Sequence, residues 1–436
     1  PSARHSEGLT DKLPMIEFLF RLSGQPKDGT MFAATANHDP TRRTIHLLYG
    51  VKISQSMVFL VPVIVPYFAQ EIGLTFQEFL ASESVFAATV VLMEVPSGWL
   101  ADIWKRKSAI VLGGIFAATG MALLLPADGF FDTAVAQAFM GVGISLFSGA
   151  DSALLYDALH QHGRADRYRV IEGRRHGFGM YAVALSSLVG AWLFTIDPIL
   201  TVWGMIVSYL ATAGFALFLA DPERRRHIAA GRPNLRKLVA GNGVVIAAIG
   251  VAAVLFSATS VAMWAQQPYY IALGIEAKWF GLLMAIGFLA GGLGGQFGHH
   301  LDRWLGALPA LITLWAVLVV AFLTAGLWPS WGGVALLLLG SAAWGAGWPQ
   351  MQTIITQRVG SARRATVLSV AGAAIRLGFI PLSATIGLLN TQHGIAIAVL
   401  GLAGILFTLG GPALWLLWRA AGSHAVPGIS IATREV

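Results

Sequence analysis

Within its apolar stretches the chain carries a few groups able to bind or transfer charge: Arg376, Lys52, Asp151, Glu94 and Glu83. Arg376 stands about eleven residues into an apolar segment covering 365–389. A guanidinium facing lipid at that depth costs at least roughly 2.5 to 3.5 kcal/mol, so it is expected to face other helices. Ser369, Arg376 and Ser383 recur at heptad spacing along one face. Such a group anchors a carboxylate, a phosphate or hydroxyls, or it forms a structural ion pair with a neighbouring segment. Lys52 has Gln55 and Ser56 at i+3 and i+4, which gives its segment one polar face. Its ammonium serves the same solute or snorkels to the headgroups. Glu94 and Asp151 are the candidate proton carriers, because a carboxyl that alternates between its two forms as its surroundings change moves a proton in each cycle. The static alternative is a pair with Lys52, Arg174 or Arg175.

Two further stripes combine amides with indoles. Ser257, Ser260, Trp264 and Gln267 follow one another at helical spacing, ahead of Pro268, Tyr269 and Tyr270. Ser341, Trp344, Trp348 and Gln352 form the second, with Pro349 able to kink it. Amides donate and accept while indoles give flat apolar walls, a combination suited to an oxygen-rich organic solute. Tyr270 and Trp279 fit an interfacial belt equally well, as Trp328 and Trp331 do. His299 and His300 beside Asp302 lack a second ligand cluster, so no metal is expected. With no cysteine, thiolate metal sites, iron–sulfur clusters and cysteine nucleophiles are excluded. No phosphate-binding loop, dinucleotide fingerprint or nucleophile elbow stands in its required context, so neither an enzyme nor a bound cofactor is expected.

The elements that must position these groups are helices in lipid. Of the 436 residues 56% are hydrophobic and only 12% charged, with a mean hydropathy of +0.68. A soluble domain is nearer a quarter charged. Charges, Gly/Pro clusters and polar turns bound twelve expected spans: 47–69, 78–100, 108–126, 134–157, 175–196, 198–220, 241–271, 279–299, 307–327, 331–356, 365–389 and 393–418. A break is expected in the seventh near Pro268. All 29 Lys and Arg except Lys52, Lys278 and Arg376 fall on one side of this layout. By the positive-inside rule both termini are cytoplasmic, in a bacterial inner membrane, and the basic loops need no nucleic acid to explain them.

The basic stretch Asp221 to Lys237 divides the spans into two sets of six, and Gly98 to Asp102 and Gly298 to Asp302 repeat a G-x-x-x-D pattern 200 residues apart. The expected organisation is a cytoplasmic tail at 1–43, a six-helix bundle at 44–220, a linker at 221–238, a second bundle at 239–418 and a tail at 419–436. The tail opens on Pro1, with Met15 or Met31 the expected start, and its polar residues contain no signal-peptide core. The fold expected is an all-α polytopic membrane protein of twelve helices in two pseudo-symmetric bundles.

The run Gly98-Trp99-Leu100-Ala101-Asp102-Ile103-Trp104-Lys105-Arg106-Lys107 resembles the major facilitator superfamily signature G-x-L-A-D-[RK]-x-G-[RK]-[RK], departing at Ile103 and Lys105. The resemblance covers about 44–418. It implies an alternating-access transporter with loops that latch its halves. Asp102 would face the start of the eleventh span and Arg106 would pair with Asp157, with Asp302 and Arg303 the counterparts in the second half. Two family signatures are missing: the fourth-span arginine falls at Gln137, and the fifth-span G-x-x-x-G-P-x-x-G-G of drug exporters is absent. The resemblance further implies that spans 1, 4, 7 and 10 line a central cavity, with 2, 5, 8 and 11 flanking it. The expected substrate residues are then Arg376, Lys52, Gln55, Trp264, Gln267, Trp348 and Gln352. The expected function is transport of a small polar, anionic organic solute, carboxylate-rich or siderophore-like, coupled to a proton or another ion, by a monomer. Efflux of amphipathic compounds, sugar transport and a membrane sensor that kept the fold are the alternatives.

Overall fold

A computed structural model describes residues 40–103, 105–147, 149–220, 242–360 and 364–422. The tails and the 221–241 linker lie outside the described residues. Among the described residues the backbone is helical with no strand, as lipid demands, because only a helix satisfies its own peptide groups within one segment. In chain order the helices are α1 (Pro40–Gln55), α2 (Ile64–Tyr67), α3 (Phe76–Ile103), α4 (Arg106–Leu123), α5 (Phe130–Phe147), α6 (Ala150–Gln161), α7 (Tyr168–Ile196) and α8 (Ile199–Leu217). Beyond the linker come α9 (Gly243–Ala272), α10 (Phe280–Leu305), α11 (Ala307–Leu327), α12 (Trp331–Thr356), α13 (Arg364–His393), α14 (Ile395–Ile405) and α15 (Gly411–Gly422). Among the described residues ten helical stretches are long and apolar enough to cross a membrane. The first span and α12 are outside those ten, the first because it is interrupted and α12 because its glycines, indoles and amides dilute its hydropathy.

Four expectations need correction. The first span does not run unbroken over 47–69: α1 stops at Gln55, and a 3-10 turn, the short α2 and a π turn at Phe68–Ile72 carry the chain onward. Pro62 and Pro66 remove two N–H donors there and stop a regular helix from propagating. The break expected near Pro268 is absent, since α9 passes straight through it. The fourth span divides around Gly149, whose φ of 78° is the left-handed conformation that a side chain resists. Finally, both G-x-x-x-D patterns are helical backbone rather than loop. α3 continues to Ile103 despite Pro96, and α10 to Leu305, where Gly306 at a φ of 86° ends it.

Before the linker, α4 packs on α5 and α8, and α5 on α3. After it, α12 packs on α10 and α11, and α9 on α13. Two seams join these groups, α3 against α13 and α7 against α10. The loops at Lys105–Lys107 and Arg164–Arg167 mark one end of the bundle, the basic end. The cross-group contacts Ser84–Ser383, Phe79–Trp264 and Gln267 with Val61 and Val65 lie toward the opposite, far end. Gly281, at the far start of α10, comes so close to α7 that a Cβ there would sit 2.2 Å from the Ser187 carbonyl oxygen.

Candidate functional site

Arg376 sits midway along α13, partly exposed. No hydrogen bond or ion pair engages its guanidinium among the described residues. The backbone beneath it is fixed: Ser257 of α9 donates to the Ile375 carbonyl at 2.6 Å. Along the same stripe Ser369 is exposed, whereas Ser383 is fully buried and shares a 2.8 Å hydrogen bond with Ser84 of α3. The stripe thus runs from the exposed Ser369 toward the basic end to the buried Ser383 toward the far end, with the guanidinium between.

The interrupted first span is re-satisfied from outside. Gln267 of α9 accepts from the Val65 N–H at 3.0 Å and donates to the Val61 carbonyl at 2.8 Å. Ser186 of α7 accepts from the Val58 N–H at 2.9 Å. Both functions of the Gln267 amide are therefore committed to backbone in this conformation, leaving less for a solute than its place in the stripe implied. Trp264, one turn earlier, meets Phe79 edge-to-face at 5.5 Å between ring centres. Trp348 packs edge-on against Phe256 of α9 at 5.3 Å, Trp344 is half-exposed, and Gln352 is partly buried. Gln55 ends α1 with its Nε2 buried and without a partner among the described residues.

Asp151 is locked into a network. Arg175 of α7 pairs with its carboxylate, donates to Glu172 through Nε at 2.8 Å and Nη2 at 2.6 Å, and reaches the Ser152 hydroxyl at 2.7 Å. The Ser152 N–H donates to Asp151 at 2.7 Å. This is the static pairing, and it leaves Asp151 poorly placed as a mobile proton site. Lys52 lies beside the network. Its stem runs along Gly179, with the side chain 3.1 Å from where a Cβ would stand. Glu94 is partly exposed near the basic end of α3, and its carbonyl accepts from the Ser97 hydroxyl.

Arg106, at the start of α4, pairs with Asp157 of α6. Gly98 and Asp102 lie on helical backbone, but their side-chain surroundings fall outside the described residues. Asp302 has one carboxylate oxygen buried without a partner among the described residues, and Arg303 is exposed. One pairing escaped the sequence reading: Gln137 of α5 donates from its amide to the Glu83 carboxylate of α3, with the two residues 2% and 8% exposed. Each was legible as a polar residue in an apolar segment, but only helix packing shows that they meet.

A polytopic helical bundle with a charge at mid-membrane, an interrupted first span and two seams between its halves has a transporter's architecture. The family model of the Major Facilitator Superfamily matches residues 50–383. The chain belongs to that superfamily. It is similar to the solved nucleoside transporter NupG, in a variant form, with a TM-score of 0.75 at 13% identity over 87% of this chain and 100% of that one. It is also similar to a bacterial homologue of the human lysosomal transporter Spinster, in an inward-facing and unoccupied conformation, with a TM-score of 0.65 at 14% identity over 89% and 98% of the two chains. At these identities the likeness is one of fold. A shorter match joins the chain to the multidrug resistance protein MdtH of Yersinia enterocolitica, 28% identical over 127 residues; it spans 29% of this chain and about a third, 31%, of that protein.

Proposed function

We propose that this multi-pass membrane transporter moves a small polar, anionic organic solute, carboxylate-rich or siderophore-like, by alternating access coupled to a proton. In this reading residues 44–220 and 239–418 rock against each other as two six-helix bundles, both termini are cytoplasmic in a bacterial inner membrane, and the protein works as a monomer. The observation that carries the reading is the guanidinium of Arg376, without a hydrogen-bond or ion-pair partner among the described residues, on a backbone anchored by Ser257. A cation kept at mid-membrane without a protein partner gains most from an anionic ligand, because charge-assisted hydrogen bonds strengthen where water is scarce. Gln55 has a buried amide donor to spare and Gln352 and Trp348 line the partly buried part of their helix, so these supply the secondary contacts. Arg106 with Asp157, and Gly98, Asp102, Asp302 and Arg303, form the latch at the basic end.

A second reading, efflux of amphipathic compounds, draws on the partial match to MdtH and on the Trp264–Phe79 and Trp348–Phe256 pairs. Thermal unfolding of the purified protein with carboxylates, siderophores, sugars and lipophilic cations separates the two, because a ligand that binds the native state raises its stability by mass action. Carboxylates should stabilise the wild type and fail on Arg376→Ala. Stabilisation by lipophilic cations in both proteins supports the second reading.

A further inference from the structure

The structure points to a proton site that differs from both acids expected in that role. Asp151 is charge-paired, whereas Glu83 is buried on α3 with the Gln137 amide as its hydrogen-bond partner and no ion pair among the described residues. A carboxylate in apolar surroundings with one neutral donor is costly, and the cost is relieved by a proton or by water. The neighbouring residues make up the far-end closure. Ser84 bonds Ser383 across the α3–α13 seam, and Phe79, one turn from Glu83 on the same face, packs on Trp264.

The helices packed on α3 bring little other charge. On α5 there is Asp132, exposed at its far end; on α4, Arg106 and Lys107 at the basic end; on α13, Arg364 and His393 at its two ends and Arg376, two turns or about 10 Å along the axis from Ser383. α9 carries no charged side chain, only Tyr269 and Tyr270 at its far end, and α3 itself adds Glu78, Glu94 and Asp102.

We propose that Glu83, held by Gln137, takes up and releases the coupling proton, and that its proton keeps the far end closed. Loss of the proton to water favours opening, since water entering the seam solvates the carboxylate left behind. The inference rests on the proton-coupled reading above but not on the identity of the solute, and neither readout below requires a solute.

The chain has no cysteine, so a labelled pair Asp128→Cys and Gln392→Cys, at exposed far-end positions of the two groups, reports closure by spin–spin distance in lipid. Infrared difference spectra across a pH titration read the carbonyl stretch of protonated carboxyls. In the wild type a carboxyl band should disappear and the far-end distance lengthen as pH rises. In Glu83→Gln the band should be missing and the distance should stay short at every pH. Gln137→Leu should shift the band by removing its hydrogen bond. A band that survives in Glu83→Gln, or a distance there that still follows pH, would overturn the proposal. If Glu83→Gln does not fold, Glu83→Asp must shift the band, and an unmoved band counts against it. Loss of carboxylate binding in the thermal assay with these responses intact would sink the anion reading alone.

Discussion

Arg376 and Arg175 show how the same side chain takes opposite roles. Arg175, 3% exposed, spends its donors on Asp151, Glu172 and Ser152. Removing it strands two acids, so Arg175→Leu should destabilise the protein by roughly 3 to 5 kcal/mol, read by denaturant or thermal unfolding. Arg376 has no such partner among the described residues, and Arg376→Ala should change unfolding little while abolishing carboxylate stabilisation. The Arg106–Asp157 pair is about a quarter exposed on its side chains. Its loss in Asp157→Asn should cost no more than about 1 kcal/mol of stability, so a large effect of that variant on transport with little effect on unfolding marks the latch role. At this scale Arg376 and the Arg106–Asp157 partnership were legible in the sequence, the first from depth in an apolar segment and the second from a signature. The choice between a mobile and a paired Asp151 was not, because spacing gives the acid's helix but not which guanidinium faces it. The Glu83–Gln137 pairing was hidden for the same reason: the two lie 54 positions apart on helices whose relative rotation no local pattern states.

The interrupted first span and the seams carry the element-scale account. Charge and hydropathy placed ten of the twelve expected spans on described helices long and apolar enough to cross a membrane. They misplaced the breaks: α9 runs on through Pro268, whereas the stretch that holds both Pro62 and Pro66 does not form one regular helix. The consequence is that Gln267, read from spacing as a solute contact, serves as a clamp on Val61 and Val65. Gln267→Leu should leave two backbone groups without that partner and loosen the far end, seen as a longer Asp128→Cys/Gln392→Cys distance. Gly281→Ala tests the α7–α10 seam in the same way. The added Cβ meets the Ser187 carbonyl oxygen at 2.2 Å, and overpacking of this kind costs roughly 1 to 3 kcal/mol, paid only in the closed arrangement. The far-end distance should lengthen, whereas a mutation that merely weakened folding would lower the unfolding temperature and leave it unchanged.

For the whole molecule, contacts across the α3–α13 seam at the far end and a partly exposed guanidinium midway along α13 fit one of the two states an alternating-access transporter needs. A solute that bridges the two helix groups favours the state in which both contact it, so coupling to closure follows from differential affinity alone. The central claim is that an anion held by Arg376 is what crosses. Its most direct test is uptake into proteoliposomes of the carboxylate that most stabilises the purified protein, measured for wild type and Arg376→Ala reconstituted at equal density. The account predicts saturable uptake by the wild type and none above protein-free vesicles for the variant. Equal uptake by both, or flux of a lipophilic cation undiminished by Arg376→Ala in the absence of any carboxylate flux, would contradict it.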